Sequence, residues 1–482
     1  MNYSVVIYIL GWIMEIEAAF LALPGIVSAI YGEKGGFAFL WVALGSAVAG
    51  SAIILRKPKN MRFYLREGFV TVALSWILMS VIGCLPFVIN GDIPHFADAL
   101  FEMISGFTTT GATVVSDVEG LTKGSLFWRS FSHWIGGMGV LVFLLAIVPM
   151  AGGSHMNLMK AGSPGPSVGK LVPKVRQTAK YLYIIYFALT MIEVIFLLFG
   201  GMNLFEALTT SFGTAGTGGF AIWNDGFVSV SPYNQWVVTI FMLLFGVNFG
   251  FYFLILTGKL RDALKFEEVR IYFIIVIAAA VFIFINLRHF ALYAPAEGIR
   301  QAFFQVASII TTTGFASADF NLWPETSRTI LVLLMFIGAC AGSTGGGIKV
   351  SRFIIACKSF IKEIISYLHP RSVKKIKIEG KPLEHETLRA TNVYFMTYMV
   401  IFAVSVLLVS IENKDLVTNF AAVAATFNNI GPGLSLVGPM ANFGHFTDFT
   451  KYILMFDMLA GRLEIFPMML LFCPAVWKRR RA

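Results

Sequence analysis

The chain has 482 residues, 57% hydrophobic and only 13% charged, with a formal net charge of +10. Soluble domains carry roughly 25% charged residues, and a mean hydropathy of +0.75 over this length excludes a water-soluble fold. The placement of the charge excludes a nucleic-acid partner: 28 of the 37 Lys and Arg residues fall in regions 56–66, 151–180, 258–270, 349–389 and 478–481. These regions alternate with apolar spans, as cytoplasmic loops do under the positive-inside rule. The sequence therefore predicts a multi-pass protein in a lipid bilayer with both termini cytoplasmic.

A hydrocarbon core about 30 Å thick needs about 20 apolar residues per spanning helix. From the N-terminus, runs 4–30 and 36–55 qualify. The first is too long for a signal-peptide core and lacks a basic leader, so it reads as a membrane helix. Residues 1–60 are expected to form two helices outside the plan that follows. Eight more runs come in four pairs: 67–90 with 128–150, 180–200 with 234–257, 270–292 with 328–366, and 389–411 with 449–476. Inside each pair lies a shorter apolar stretch, at 96–107, 202–212, 299–310 and 416–427. These are too short to span and fit re-entrant half-helices.

Each half-helix runs into a glycine-bearing segment. These are Thr109-Thr110-Gly111, Thr214-Ala215-Gly216, Thr312-Thr313-Gly314 and Asn429-Ile430-Gly431, with Phe107, Phe212, Ile310 and Phe427 four places before the glycines. A single such segment reads as an external turn. Four at near-equal spacing read as pore loops of one chain around one axis. The predicted fold is an all-α polytopic membrane protein with four tandem helix–pore-loop–helix repeats, bounded at 61–160, 161–262, 263–380 and 381–482.

Carbonyl oxygens in rings replace the hydration shell of a potassium ion, and glycine lets the backbone reach φ > 0 and aim them. The carbonyls at and just before each glycine are the expected ligands, with Thr and Asn side chains bracing the strands. K⁺ is the only bound species expected; no cofactor is. One shared glycine per repeat predicts a modest filter that accepts K⁺ and Rb⁺ and excludes Na⁺ and Li⁺ incompletely. Two glycines follow Gly216, which leaves the second register open, and Asn429-Ile430-Gly431-Pro432 departs furthest from the pattern. Asp117, Glu119, Asp225 and Asp319 near the mouths read as solvated loop charges, with mild attraction of cations as the secondary reading.

Two features lie below the filter. Five glycines between Gly338 and Gly347 cost a helix about 1 kcal/mol each, so the span 328–366 is expected to break at membrane depth, where it must face a cavity. Gly342, Gly345, Gly346 and Gly347 are the expected gate. A phosphate-binding reading of Gly342 to Gly347 fails because Lys349 comes one place late, with no Ser or Thr directly after it. Arg462 lies in the final span, where an intramembrane arginine defaults to a functional group with a partner. It either faces the pore and opposes cations or pairs with an acid such as Asp457 or Glu193. Glu15 and Glu17 in the first helix are expected to make helix–helix or subunit contacts. The four cysteines (Cys84, Cys340, Cys357, Cys473) form no CxxC pair and read as small buried hydrophobes. With no nucleophile–base pair or metal spacing, the sequence does not read as an enzyme.

The stretches His133-Trp-Ile-Gly-Gly-Met-Gly139, Ser163-Pro-Gly-Pro166, Gly342–Gly347 and Leu459-Ala-Gly-Arg462-Leu-Glu464 resemble the TrkH/KtrB/HKT superfamily of potassium transporters over essentially the whole chain. The two extra N-terminal helices make it similar to the TrkH branch rather than the KtrB branch. The resemblance implies a bacterial inner-membrane homodimer with one pore per subunit, and a cytosolic ring of nucleotide-binding TrkA-type subunits on the cytoplasmic loops. It also implies that Gly345–Gly347 and Arg462 together constrict the path. The competing reading is a secondary K⁺ symporter coupled to Na⁺ or H⁺, a class that typically uses inverted repeats; the repeats here run in parallel and favour a pore.

Overall fold

The computed structural model describes residues 1–59, 61, 64–147, 175–369 and 375–477. The Ser163–Pro166 segment, the 160/161 boundary and the terminal basic run 478–481 lie outside them. Among the described residues helix dominates, and the sheet is one short hairpin pairing Lys377–Ile378 with Lys381–Pro382. Six described helices are long and apolar enough to cross a membrane: Tyr3–Ile30, Gly36–Ile54, Arg66–Asn90, Lys180–Phe199, Glu267–His289 and His385–Glu412. Their outward faces carry large exposed apolar side chains such as Trp41, Phe187, Phe282 and Met396, the surface a bilayer covers.

The two N-terminal helices pack as a hairpin on small residues. A Cβ at Gly11 would meet Ile53, and one at Gly36 would meet Ser28 within 3.0 Å; small residues let membrane helices approach this closely. Glu15 fulfils the helix-contact expectation by accepting a hydrogen bond from Ser51 at 2.6 Å. Glu17 is fully buried, with neither carboxylate oxygen hydrogen-bonded.

The four half-helices are Phe96–Phe107, Leu204–Gly216, Pro295–Ile310 and Leu416–Phe427. At 1.5 Å per residue none reaches across about 30 Å. The second and fourth are capped by side chains at their starts: Asn203 and Glu206 form a capping box, and the Asp415 carboxylate accepts from Thr418 N at 3.0 Å. Two helices approach the ends of half-helices where only glycine fits, since a Cβ at Gly136 or Gly461 would fall within 3.0 Å of the Phe107 or Phe427 carbonyl oxygen.

Three of the expected second spans are not single helices. The break predicted in 328–366 is present, between Glu325–Met335 and Val350–Leu368. The run 234–257 is instead two helices, Pro232–Phe245 and Phe249–Leu256, bent by 88°. Asn248 caps the second through Gly250 N at 2.8 Å, so an asparagine inside an apolar run restarts a helix where hydropathy alone predicts continuity. The run 449–476 ends its first helix at Arg462 and resumes at Phe466–Leu471. Arg462 thus sits at a helix terminus rather than mid-helix. Cys84 and Cys340 are buried as expected, whereas Cys357 and Cys473 are exposed.

Candidate functional site

Each half-helix ends in the same backbone turn. In the first, Thr109 N donates to Gly106 O and Thr110 N to Ser105 O; in the third, Thr312 N donates to Ile309 O and Thr313 N to Ser308 O; in the fourth, Asn429 N donates to Thr426 O and Ile430 N to Ala425 O. Thr109, Thr312 and Asn429 take φ of 53°, 60° and 55°, and Gly111, Gly314 and Gly431 take 77°, 87° and 95°. The second repeat makes this turn three residues later than the sequence suggested. There Thr217 N donates to Thr214 O and Gly218 N to Gly213 O, with Thr217 at φ 53° and Gly219 at 83°. Thr214, Ala215 and Gly216 instead complete the half-helix, and Thr217-Gly218-Gly219 is the equivalent strand. Thr-Ala-Gly imitated its Thr-Thr-Gly cousins, but the Gly218-Gly219 pair carries the left-handed geometry.

The four turns close into a ring. A Cβ placed on Gly111 would fall within 3.0 Å of Gly218 O; on Gly219, of Thr313 O; on Gly314, of Ile430 O; and on Gly431, of Thr110 O. Each glycine therefore abuts the carbonyl that precedes the glycine of the next repeat, in the order one, two, three, four and back to one. No side chain fits at any of the four positions.

Side chains brace this ring from behind. Thr108 and Thr110 share a hydroxyl contact of 2.8 Å, repeated at 2.8 Å by Thr311 and Thr313. Asn429 Nδ2 donates to Thr110 Oγ1 at 3.0 Å and to Met458 O at 2.9 Å, tying the fourth strand to the first. His133 spans two repeats: its Nδ1 lies 2.8 Å from Gly106 O, and its Nε2 accepts from Phe220 N at 3.2 Å. Donation by one ring nitrogen and acceptance by the other define a neutral imidazole in this arrangement.

A buried ion pair also escaped the sequence reading. Arg129 Nη2 lies 2.7 Å from Glu102 Oε1, and both side chains are almost fully enclosed. Glu102 also accepts from Thr113 Oγ1 at 2.9 Å and Val114 N at 3.0 Å, and the guanidinium stacks 4.2 Å over the Phe220 ring. The pair clamps the strand leaving the first turn to its own half-helix. Gln305 occupies the corresponding place, nine residues before Gly314, as Glu102 is nine before Gly111. That polar recurrence on an apolar half-helix is the signal that could have found the clamp. Removing one partner of a buried pair costs about 3–5 kcal/mol. Arg129→Ala is therefore expected to lower the thermal unfolding midpoint by several degrees in a fluorescence melt; an unshifted midpoint would show that the pair holds nothing.

Beneath the ring lies the glycine loop, packed rather than loose. Gly346 N donates to Thr312 Oγ1 at 2.6 Å, and a Cβ on Gly346 would clash with Asn428 O and Asn429. Ala341 N and Ser351 N donate to Glu268 Oε1 at 2.7 and 3.0 Å, and Cys340 N to Gly246 O at 3.0 Å. The buried Lys349 ammonium donates to the carbonyls of Gly345 and Gly346. The lysine that failed the phosphate-binding pattern thus organises the loop's own backbone.

Arg462 completes this layer. Its Nη1 donates to Thr344 O and its Nη2 to Gly136 O, each at 2.8 Å. It pairs with neither expected acid: among the described residues its guanidinium makes no ion pair with Glu193 or Asp457, and Asp457 Oδ1 accepts from Ser405 at 2.7 Å. Asp457 lies five residues earlier on the same helix, about 140° around its axis at 3.6 residues per turn, so it projects to a different face, and the guanidinium fork reaches two carbonyls on separate elements instead. The arginine joins the third repeat's loop to the first repeat's second helix directly beneath the ring. The mouth acids build outer turns: Asp117 and Glu119 both bond Asn224, and Asp319 accepts from Asn321 N.

A single chain that folds four half-helices and four left-handed turns into one ring, inside a bundle of spanning helices, belongs to the polytopic membrane transport proteins rather than to the enzymes. The family described as "TrkH: Cation transport protein" matches residues 37–479. The chain belongs to that family. It is 36% identical to "Trk system potassium uptake protein TrkH" of Escherichia coli (strain K12), over 99% of this chain and 100% of that protein. It is 31% identical to "Trk system potassium uptake protein TrkG" of the same organism, over 99% of each. The crystal structure of the potassium transporter TrkH from Vibrio parahaemolyticus superposes with a TM-score of 0.89 at 32% identity, covering 99% of this chain and 100% of that one.

Proposed function

We propose that the protein conducts K⁺ through the fourfold ring as a gated, channel-like uptake pathway. The observation that carries the reading is the closed cycle of glycines against neighbouring carbonyls. The carbonyls of Thr110, Gly218, Thr313 and Ile430 are the ion ligands, with those of Gly111, Gly219, Gly314 and Gly431 as a second ring. With one ring-forming glycine per repeat, K⁺ and Rb⁺ pass and Na⁺ and Li⁺ are held back incompletely. The family, and the potassium uptake named for its relatives, support K⁺ as the cargo.

The glycine loop and Arg462 are the gate. The fixed cationic charge raises a barrier to cations, and the loop fills the path below the ring. The basic loops support a cytoplasmic position for both termini under the positive-inside rule, and we take the membrane to be a bacterial inner membrane. The system named for the relatives supports a cytosolic regulatory partner, which we take to be a nucleotide-binding ring acting on a homodimer. The test is ⁸⁶Rb⁺ uptake into liposomes carrying the purified protein. Flux that follows the K⁺ gradient with no co-ion is the expected result; strict dependence on a Na⁺ or H⁺ gradient would establish a symporter instead.

A further inference from the structure

The backbone just after Arg462 is held in an unusual conformation. Glu464 and Ile465 are consecutive non-glycine residues at φ 61° and 68°, and a β-branched residue there is an outlier that its surroundings must enforce. Ile465 N donates to Ala460 O at 2.7 Å, and the Glu464 carboxylate pairs with the Arg352 guanidinium. Arg352 stands in the first turn of the helix that follows the glycine loop. It is buried, its Cζ lies 3.8 Å over the Tyr394 ring, and its Nη1 donates to Ile348 O at 3.3 Å. One guanidinium therefore contacts the end of the loop, the fourth repeat's first helix and the strained turn two residues beyond Arg462.

We propose that Arg352 and Glu464 are positioning residues that hold Arg462 on the Thr344 and Gly136 carbonyls. Arg462 is the last residue of its helix, and a helix end frays unless the following segment is fixed. Glu464 provides that fixation through Arg352, which is anchored in turn to the loop that Arg462 must reach. Loss of the pair lets the turn relax and draws Arg462 away from the loop. The inference rests on the reading that Arg462 opposes cation passage.

The experiment is basal ⁸⁶Rb⁺ flux in liposomes, without regulatory partner, for Glu464→Gln, Arg462→Ala and the double variant, with the unfolding midpoint of each recorded. Arg462→Ala is expected to raise flux. Glu464→Gln is expected to raise flux by roughly fivefold alone and less than about twofold in the Arg462→Ala background, the non-additivity of groups acting through one another. The charge-swapped pair Arg352→Glu with Glu464→Arg is expected to restore low flux in part. Equal fold-changes in both backgrounds, or no change from Glu464→Gln alone, would overturn the inference while leaving the Arg462 reading intact. Unchanged flux in folded Arg462→Ala would overturn both. If Glu464→Gln fails to fold, Arg352→Lys, which keeps the charge but loses the fork, is read in the same two backgrounds.

Discussion

Gly314→Ser is expected to lower the K⁺ over Na⁺ permeability ratio by roughly tenfold, the equivalent of about 1.4 kcal/mol in relative ion stabilisation. Two separate costs act at this position. The φ of 87° disfavours any L side chain, by about 1–2 kcal/mol. The added Cβ would also fall within 3.0 Å of Ile430 O, a carbonyl of the proposed ligand ring, and backbone cannot rotate aside as a flexible side chain can. The fourth strand must therefore shift, and the ring loses its matched spacing. Gly380→Ser is the control: its φ of 77° imposes the first cost, but nothing lies within 4 Å of the new Cβ, and the residue sits in the short hairpin turn outside the pore. Reversal potentials in bi-ionic K⁺/Na⁺ solutions separate the two. Unchanged selectivity in Gly314→Ser would mean the turn is not part of a filter.

Arg462→Ala is expected to raise basal flux tenfold or more. A fixed positive charge about 6 Å from a passing cation, at an effective dielectric of about 20, opposes it by about 3 kcal/mol. Truncation removes that charge and also the two hydrogen bonds, to Thr344 O and Gly136 O, that fix the loop under the ring. Arg462→Lys retains the charge but not the fork, so its flux should stay closer to the parent's. Initial ⁸⁶Rb⁺ uptake rates, read on protein that elutes as a single species, decide the matter. A folded alanine variant with parental flux would show that the arginine is structural.

The sequence carried the architecture because bilayer thickness converts directly into run length, and the half-helices stand out as runs too short to span. Helix breaks were legible where several glycines accumulate, as at Gly338–Gly347. They were not where one polar residue, Asn248, restarts a helix inside an apolar run. The second strand was misplaced by three residues because Thr214-Ala215-Gly216 imitates the other repeats, while the deciding property, left-handed φ at Thr217 and Gly219, is conformational. Arg462 was identifiable as unusual from its position alone. Its partners were not, because backbone carbonyls carry no signature in side-chain sequence, and Thr344 and Gly136 lie far from it along the chain. The Glu102–Arg129 clamp was missed for a related reason: the two residues are 27 positions apart on different helices.

The most direct measurement is anomalous diffraction from crystals grown in Rb⁺. An Rb⁺ peak is expected on the ring axis, at coordination distance from the carbonyl oxygens of Thr110, Gly218, Thr313 and Ile430. A peak coordinated instead by Thr214, Ala215 or Gly216, or no peak within the ring at all, would contradict it.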